Sequence, residues 1–157
     1  MRLFVPLHVD SLVQLAGDGA ITGEFDVVVA TPAFAEWIQS DDPEDLACAV
    51  LMRAGDLALE LAHDYRRVVL VVDAEPNYLE APEAAPGSGM IGQITREQIV
   101  CIFVDDSSSA DAVKAARADA AAIELLDELD LVWFDAQELN AVAVSYTHLT
   151  LPTIYSV

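Results

Sequence analysis

Lysine is almost missing from this chain: Lys114 stands alone among 157 residues, and 7 Lys+Arg face 27 Asp+Glu for a formal net charge of -20. A surface of that sign repels phosphate backbones and anionic lipid headgroups at long range, so nucleic-acid and membrane-surface binding are both disfavoured. Cysteine is nearly as scarce. Cys48 and Cys101 lack the Cys-x-x-Cys spacing of zinc or redox sites and are expected as reduced, buried small hydrophobes. Long apolar runs are absent as well. Leu3-Phe4-Val5 before Pro6 is too short for a signal-peptide core, and nothing approaches the ~18 residues of a membrane span, so a cytoplasmic protein is expected. Nor is there a Gly-rich phosphate loop, a His-Glu-x-x-His pair or a Gly-x-Ser-x-Gly elbow, and with them go the usual signatures of nucleotide, zinc-protease and serine-hydrolase chemistry.

What the chain does have is apolar content, 54% of residues, enough for the core of one domain. Two runs dominate, Val68-Val-Leu-Val-Val-Asp73 and Ile99-Val-Cys-Ile-Phe-Val104, both rich in β-branched residues and apolar at consecutive positions, as in strands buried on both faces. They are expected side by side, with the second at the centre of the fold. Arg2–Pro6, Phe25–Ala30 and Leu131–Phe134 read as further strands, and Met90–Ile94 as a short edge strand.

Helix starts are marked at Asp10-Ser11, Thr31-Pro32, Asp42-Pro43 and Ser107, where a cap residue or a proline precedes an apolar stripe of 3.6-residue period. In the long helix from Pro43 to about His63 the apolar stripe is Leu46, Val50, Leu57 and Leu61, and Gly55 is attributed to a close approach to the sheet. Asp135-Ala-Gln-Glu138 has capping-box spacing for a terminal turn. The proline- and glycine-rich stretch from Glu75 to Gly89 is expected as a mobile surface loop. This order predicts an α+β protein of ferredoxin-like, split βαβ type, with helices on one face of the sheet and room for extra edge strands; the alternative is a doubly wound α/β sheet.

For chemistry the sequence offers carboxylates after strand ends. Asp73, Asp105 and Asp106 are the candidate catalytic residues, since aspartates gathered at one sheet edge hold Mg²⁺ with open water positions. Helix capping accounts for Asp105-Asp106 just as directly. His8 and His63 have no nucleophile at a telling spacing, and Cys101 lies inside an apolar strand. Trp37, Trp133 and Phe134 are expected in the core. The expected function is therefore non-enzymatic, through a protein partner or a homo-oligomer, with no cofactor and no resident metal. A Mg²⁺-dependent enzyme using the three aspartates is the alternative.

Ala30-Thr-Pro-Ala-Phe-Ala-Glu-Trp37, Phe103-Val-Asp-Asp106 and Asp130-Leu-Val-Trp-Phe-Asp-Ala-Gln-Glu-Leu139, following Met-Arg-Leu-Phe-Val-Pro at the start, resemble a family of short uncharacterised actinobacterial proteins over residues 1 to about 142. That resemblance implies a cytoplasmic single domain, a domain of unknown function with no catalytic residues to carry over. Val144-Ser-Tyr-Thr-His-Leu-Thr-Leu-Pro-Thr153 resembles instead one reading frame of a sequencing adapter, and no Asp, Glu, Lys or Arg follows Glu138. Residues 143–157 are accordingly expected to be a non-native tail, with residues 145–157 extended or disordered.

Overall fold

The computed structural model describes residues 1–61, 66–78, 85–105 and 131–150, with side chains described as far as residue 144. Seven strands form one sheet: β1 (Arg2–Leu7), β2 (Ala20–Val28), β3 (Val68–Asp73), β4 (Asn77–Tyr78), β5 (Ser88–Thr95), β6 (Ile99–Val104) and β7 (Val132–Asp135). The helices are α1 (Val9–Asp18), α2 (Pro32–Ile38), α3 (Pro43–Leu61) and α4 (Leu139–Thr150). The strand order is β4-β5-β2-β1-β3-β6-β7, and every neighbouring pair is antiparallel.

The α+β class holds, and the doubly wound alternative does not, because among the described residues no adjacent strands are parallel. The strand order is also not the ferredoxin-like one. A split βαβ unit is present, since β2 and β3 both run antiparallel to β1 and so parallel to each other with β1 between them. In the ferredoxin-like order, however, the last strand would lie beside the first. Here β1 is flanked by β2 and β3, and β7 pairs instead with β6 at the sheet's edge. The central strand is thus β1, not β6, although β3 and β6 are neighbours as their composition implied.

Helices cover both faces rather than one, and the central strands explain why. Leu3, Val5, Leu7, Val68, Leu70 and Val72 share one face and pack with Leu12, Leu15, Leu139 and Val142 of α1 and α4. Phe4 and Val69 alternate onto the other, where Phe34, Val50, Ala54 and Ala58 of α2 and α3 meet them. A strand apolar on both sides leaves no face for water. The first face is also concave. Only Arg96–Gln98, a 3₁₀ turn, joins β5 to β6, and four residues of chain reach about 14 Å. Flat, the four strand spacings between them would need about 19 Å, so the sheet curls. A bulge between Thr22 and Phe25 of β2 supplies part of the bend.

Several local expectations hold. Thr31 caps α2 by accepting from the Phe34 N–H at 3.1 Å, and Asp135 and Glu138 form the capping box before α4. Others change. His8, not Asp10 or Ser11, is the N-cap of α1, its Nδ1 accepting from the Asp10 N–H at 3.1 Å. The buried stripe of α3 is Val50, Ala54, Ala58 and Leu59, with Leu61 40% exposed. Small residues suit a helix lying close over a β-branched sheet. Gly55 is not forced by that approach: an added methyl would meet Arg67 Nη1 at 3.6 Å and Leu131 at 3.8 Å, ordinary contacts.

The stretch expected as a mobile loop contributes sheet at both ends, β4 and the start of β5, with residues 79–84 outside the described set. Gly87 secures it. At φ +82°, its carbonyl accepts from the Val29 N–H at 2.8 Å, and a methyl there would sit 2.5 Å from the Val29 carbonyl oxygen. β5 is not an edge strand, because β4 lies outside it. The chain is helical to Thr150, so residues 145–150 are neither extended nor disordered. Residues 151–157 lie outside the described set.

Candidate functional site

Of the three candidate aspartates, Asp73 and Asp105 do not come together. Asp73 ends β3, and Asp105 follows β6, which runs the opposite way. The Asp105 N–H donates to the Arg67 carbonyl, at the start of β3, so Asp73 and Asp105 lie at opposite ends of that strand, roughly 20 Å apart at the usual strand rise. Their carboxylates cannot share a metal ion. Asp106 and His63 lie outside the described residues. Among the described residues no group of three or more His, Cys, Asp or Glu side chains is placed to hold a metal ion.

Asp105 is committed elsewhere. It is fully buried, and its carboxylate accepts from the Arg67 backbone N–H, from Arg67 Nε and from Arg67 Nη2, each at 2.8 Å. Arg66 Nε donates to the Asp105 carbonyl at 3.1 Å. A bidentate guanidinium–carboxylate fork with both partners buried is a structural rivet between β3 and β6. Asp73 is instead more than half exposed, 3.5 Å from Arg2 Nε. An exposed pair of that kind contributes at most about 1 kcal/mol.

The notable concavity lies on the face covered by α2 and α3. There a cleft of about 400 Å³ separates the first half of α3 from the sheet. Phe4, Val71, Cys101 and Phe103 form its floor. Leu46, Ala47 and Val50 form the helical wall, and Arg2 is the single charged residue lining it among the described residues. Alternation along β1 produces this arrangement: Leu3 and Val5 enter the concave core, so Arg2 and Phe4 come out on the cleft side. Small residues at Ala30 and Ala47 leave the volume open.

Cys101 connects the cleft to the edge strand. It is 8% exposed and lies opposite Asp135 of β7. Burial pushes its thiol above the ordinary cysteine range; the Trp133 indole N–H, which donates to the sulfur, and the Arg2 charge pull it back, and Asp135 pushes it up further. At neutral pH it is a protonated thiol and a poor nucleophile. Cys48, expected to be buried, is exposed.

The aromatics depart furthest from expectation. Trp133 is 56% exposed and Trp37 53%, the latter set edge-on to Phe34 at 5.7 Å, while Phe134 is half-buried against the concave core. Trp133 faces Phe103 directly across the strands, on the cleft side. Val132, beside it on the terminal strand, is 40% exposed. The cleft and this apolar edge were missed in the sequence. The one available signal was that Trp133-Phe134 ends the chain's last strand, where a two-sided core is no longer needed.

No helix among the described residues is long and apolar enough to cross a membrane. In comparisons with known proteins, neither the curated proteins nor the solved structures show a match. A family model does match, over residues 1–143, which takes in the whole of the 1–142 span expected to form one domain. The chain belongs to that family, a family of unknown function designated DUF6912.

Proposed function

We propose that this protein is a non-enzymatic interaction domain that pairs with a second copy of itself through the outer edge of β7. The observation that carries the reading is the character of that edge. Among the described residues β7 is the last strand in the sheet order, and it carries Val132 and Trp133, one on each face, both large, apolar and substantially exposed, in a chain of net charge -20. Two such copies repel each other over most of their surface, and association is favoured only where charge is absent. An unpaired strand edge offers a row of N–H and C=O groups, and an antiparallel partner strand about a twofold axis satisfies them on both sides. At four residues β7 is short, which suits a reversible contact more than an obligate one.

The reading also draws support from the commitment of Asp105 to Arg67 and of Asp73 to the opposite end of β3, which leaves those two aspartates without a common reaction centre. Light scattering across a concentration series tests it. The molar mass is expected to rise toward twice that of the chain, and Val132→Lys, which places a charge on the edge, is expected to hold it at the monomer value. A wild-type chain that stays monomeric to millimolar concentration removes the proposal.

A further inference from the structure

The cleft under α3 calls for a different occupant from the β7 edge. We propose that it is a binding site for a small monocarboxylate with an apolar tail, the tail lying between Leu46, Val50 and the sheet floor of Phe4, Val71 and Phe103, and the carboxylate held by Arg2. At about 400 Å³ the cleft falls within the range of small-molecule sites, roughly 300–1,000 Å³, and like them it combines an apolar lining with few polar groups. The tail class follows from that lining, in which the Cys101 thiol, a weak donor, is the one buried side-chain polar group among the described residues and does not reject an alkyl or aryl group.

The head class follows from charge. Arg2 is one of only 7 basic residues, and it is the one that lines this cleft. Its Nε is 3.5 Å from Asp73, while its two terminal amino groups make no hydrogen bond to any described residue. Those groups are the fork that grips a carboxylate in a bidentate manner. Asp73 anchors the guanidinium from the Nε side and leaves the fork for a second anion. The fold supplies the means of selection: a neutral apolar molecule gains the lining alone, and an acid gains the lining and the fork. The cleft side of the sheet also carries Asp135, across from Cys101 and capping the following turn, so the site holds one anionic head and disfavours a second.

Calorimetric titration of the full chain with decanoate and octanoate below their micelle concentrations, and with decanol below its solubility limit, tests the site. Decanoate is expected to bind in a saturable 1:1 manner, about tenfold more tightly than octanoate because two further methylenes are buried. Decanol is expected to bind about tenfold more weakly than decanoate, and Arg2→Gln to abolish that difference by weakening the acid alone. Ala47→Phe is expected to abolish binding of all three; Ala47 is exposed, so the substitution fills the cleft from the surface, and an unchanged urea-unfolding curve verifies the fold. Absent saturation by decanoate, equal affinity for acid and alcohol, or undiminished binding to Ala47→Phe each overturns the proposal.

Discussion

Removing the Asp105 carboxylate is the perturbation whose consequence follows most fully from the structure. In Asp105→Ala the Arg67 guanidinium, 6% exposed, stays buried with no counter-charge, and the Arg67 backbone N–H loses the acceptor it has at 2.8 Å. Breaking a buried pair from one side costs about 3–5 kcal/mol. That is a large share of the roughly 5–15 kcal/mol by which a domain is usually stable. Arg67→Met should cost a similar amount, since it strands a fully buried carboxylate. The double variant Arg67→Met with Asp105→Leu leaves neither charge to be buried; what remains is one backbone N–H without an acceptor, about 1–3 kcal/mol. The double variant is therefore expected to be more stable than either single one. Urea unfolding of the four proteins, followed by far-UV circular dichroism, gives the cycle directly. A loss below 1 kcal/mol in Asp105→Ala, or a double variant that loses the sum of the singles, roughly 6–10 kcal/mol, refutes the reasoning.

Two glycines should respond in opposite directions. Gly55→Ala fits into ordinary contacts and is expected to stabilise by up to about 1 kcal/mol, whereas Gly87→Ala, with left-handed backbone and a carbonyl oxygen 2.5 Å from the new methyl, is expected to cost about 2 kcal/mol or more; thermal unfolding of the pair decides both. Iodoacetamide under native conditions is expected to label exposed Cys48 at least about tenfold faster than Cys101, and comparable rates by mass spectrometry would contradict the burial of the second thiol. Because the folded chain holds the Cys101 proton to higher pH than the unfolded chain, its contribution to stability is complete below the ordinary thiol pKa of about 8.5 and is lost as pH rises beyond it; Cys101→Ala should flatten that alkaline decline in urea-unfolding free energy. Deleting residues 145–157 retains Leu139, Val142 and Ala143, the buried residues of α4 among its described side chains, so the unfolding free energy is expected to change by less than about 1 kcal/mol, and a larger loss would show that the terminal segment contributes to the fold.

The elements that sequence patterning identified were those whose signal is local. Thr31 with Pro32, and Asp135 with Glu138, specify helix starts through hydrogen bonds that span three residues, and each formed as expected. The consecutive apolar runs of β3 and β6 marked strands with two dry faces, and two-sided covering by helices follows from that property once the sheet is antiparallel. Strand order was not legible, because it depends on which edges meet: β1 holds six consecutive cross-strand partners in β3, and nothing in Arg2–Leu7 alone encodes that choice. The Glu75–Gly89 stretch misled for a related reason. Its prolines and glycines suggested a loop, yet Gly87 is the residue that lets the backbone pack against Val29. At the site, aspartates following strand ends were visible in the sequence, but their positions depend on strand direction, which sends Asp73 and Asp105 to opposite ends of β3. The cleft arises from small residues at Ala30 and Ala47, and small residues carry no pattern of their own.

The proposal that β7 is a self-pairing edge is tested most directly by amide hydrogen exchange of Val132–Phe134 as a function of protein concentration. Outward-facing amides on an open edge exchange at a rate independent of concentration, while those paired to a second copy slow as the dimer fills. The account predicts that exchange at Val132–Phe134 slows with increasing concentration in the wild-type chain and loses that dependence in Val132→Lys, with the amides of β1 and β3 protected equally in both. Exchange in β7 that is unchanged across the concentration range contradicts it.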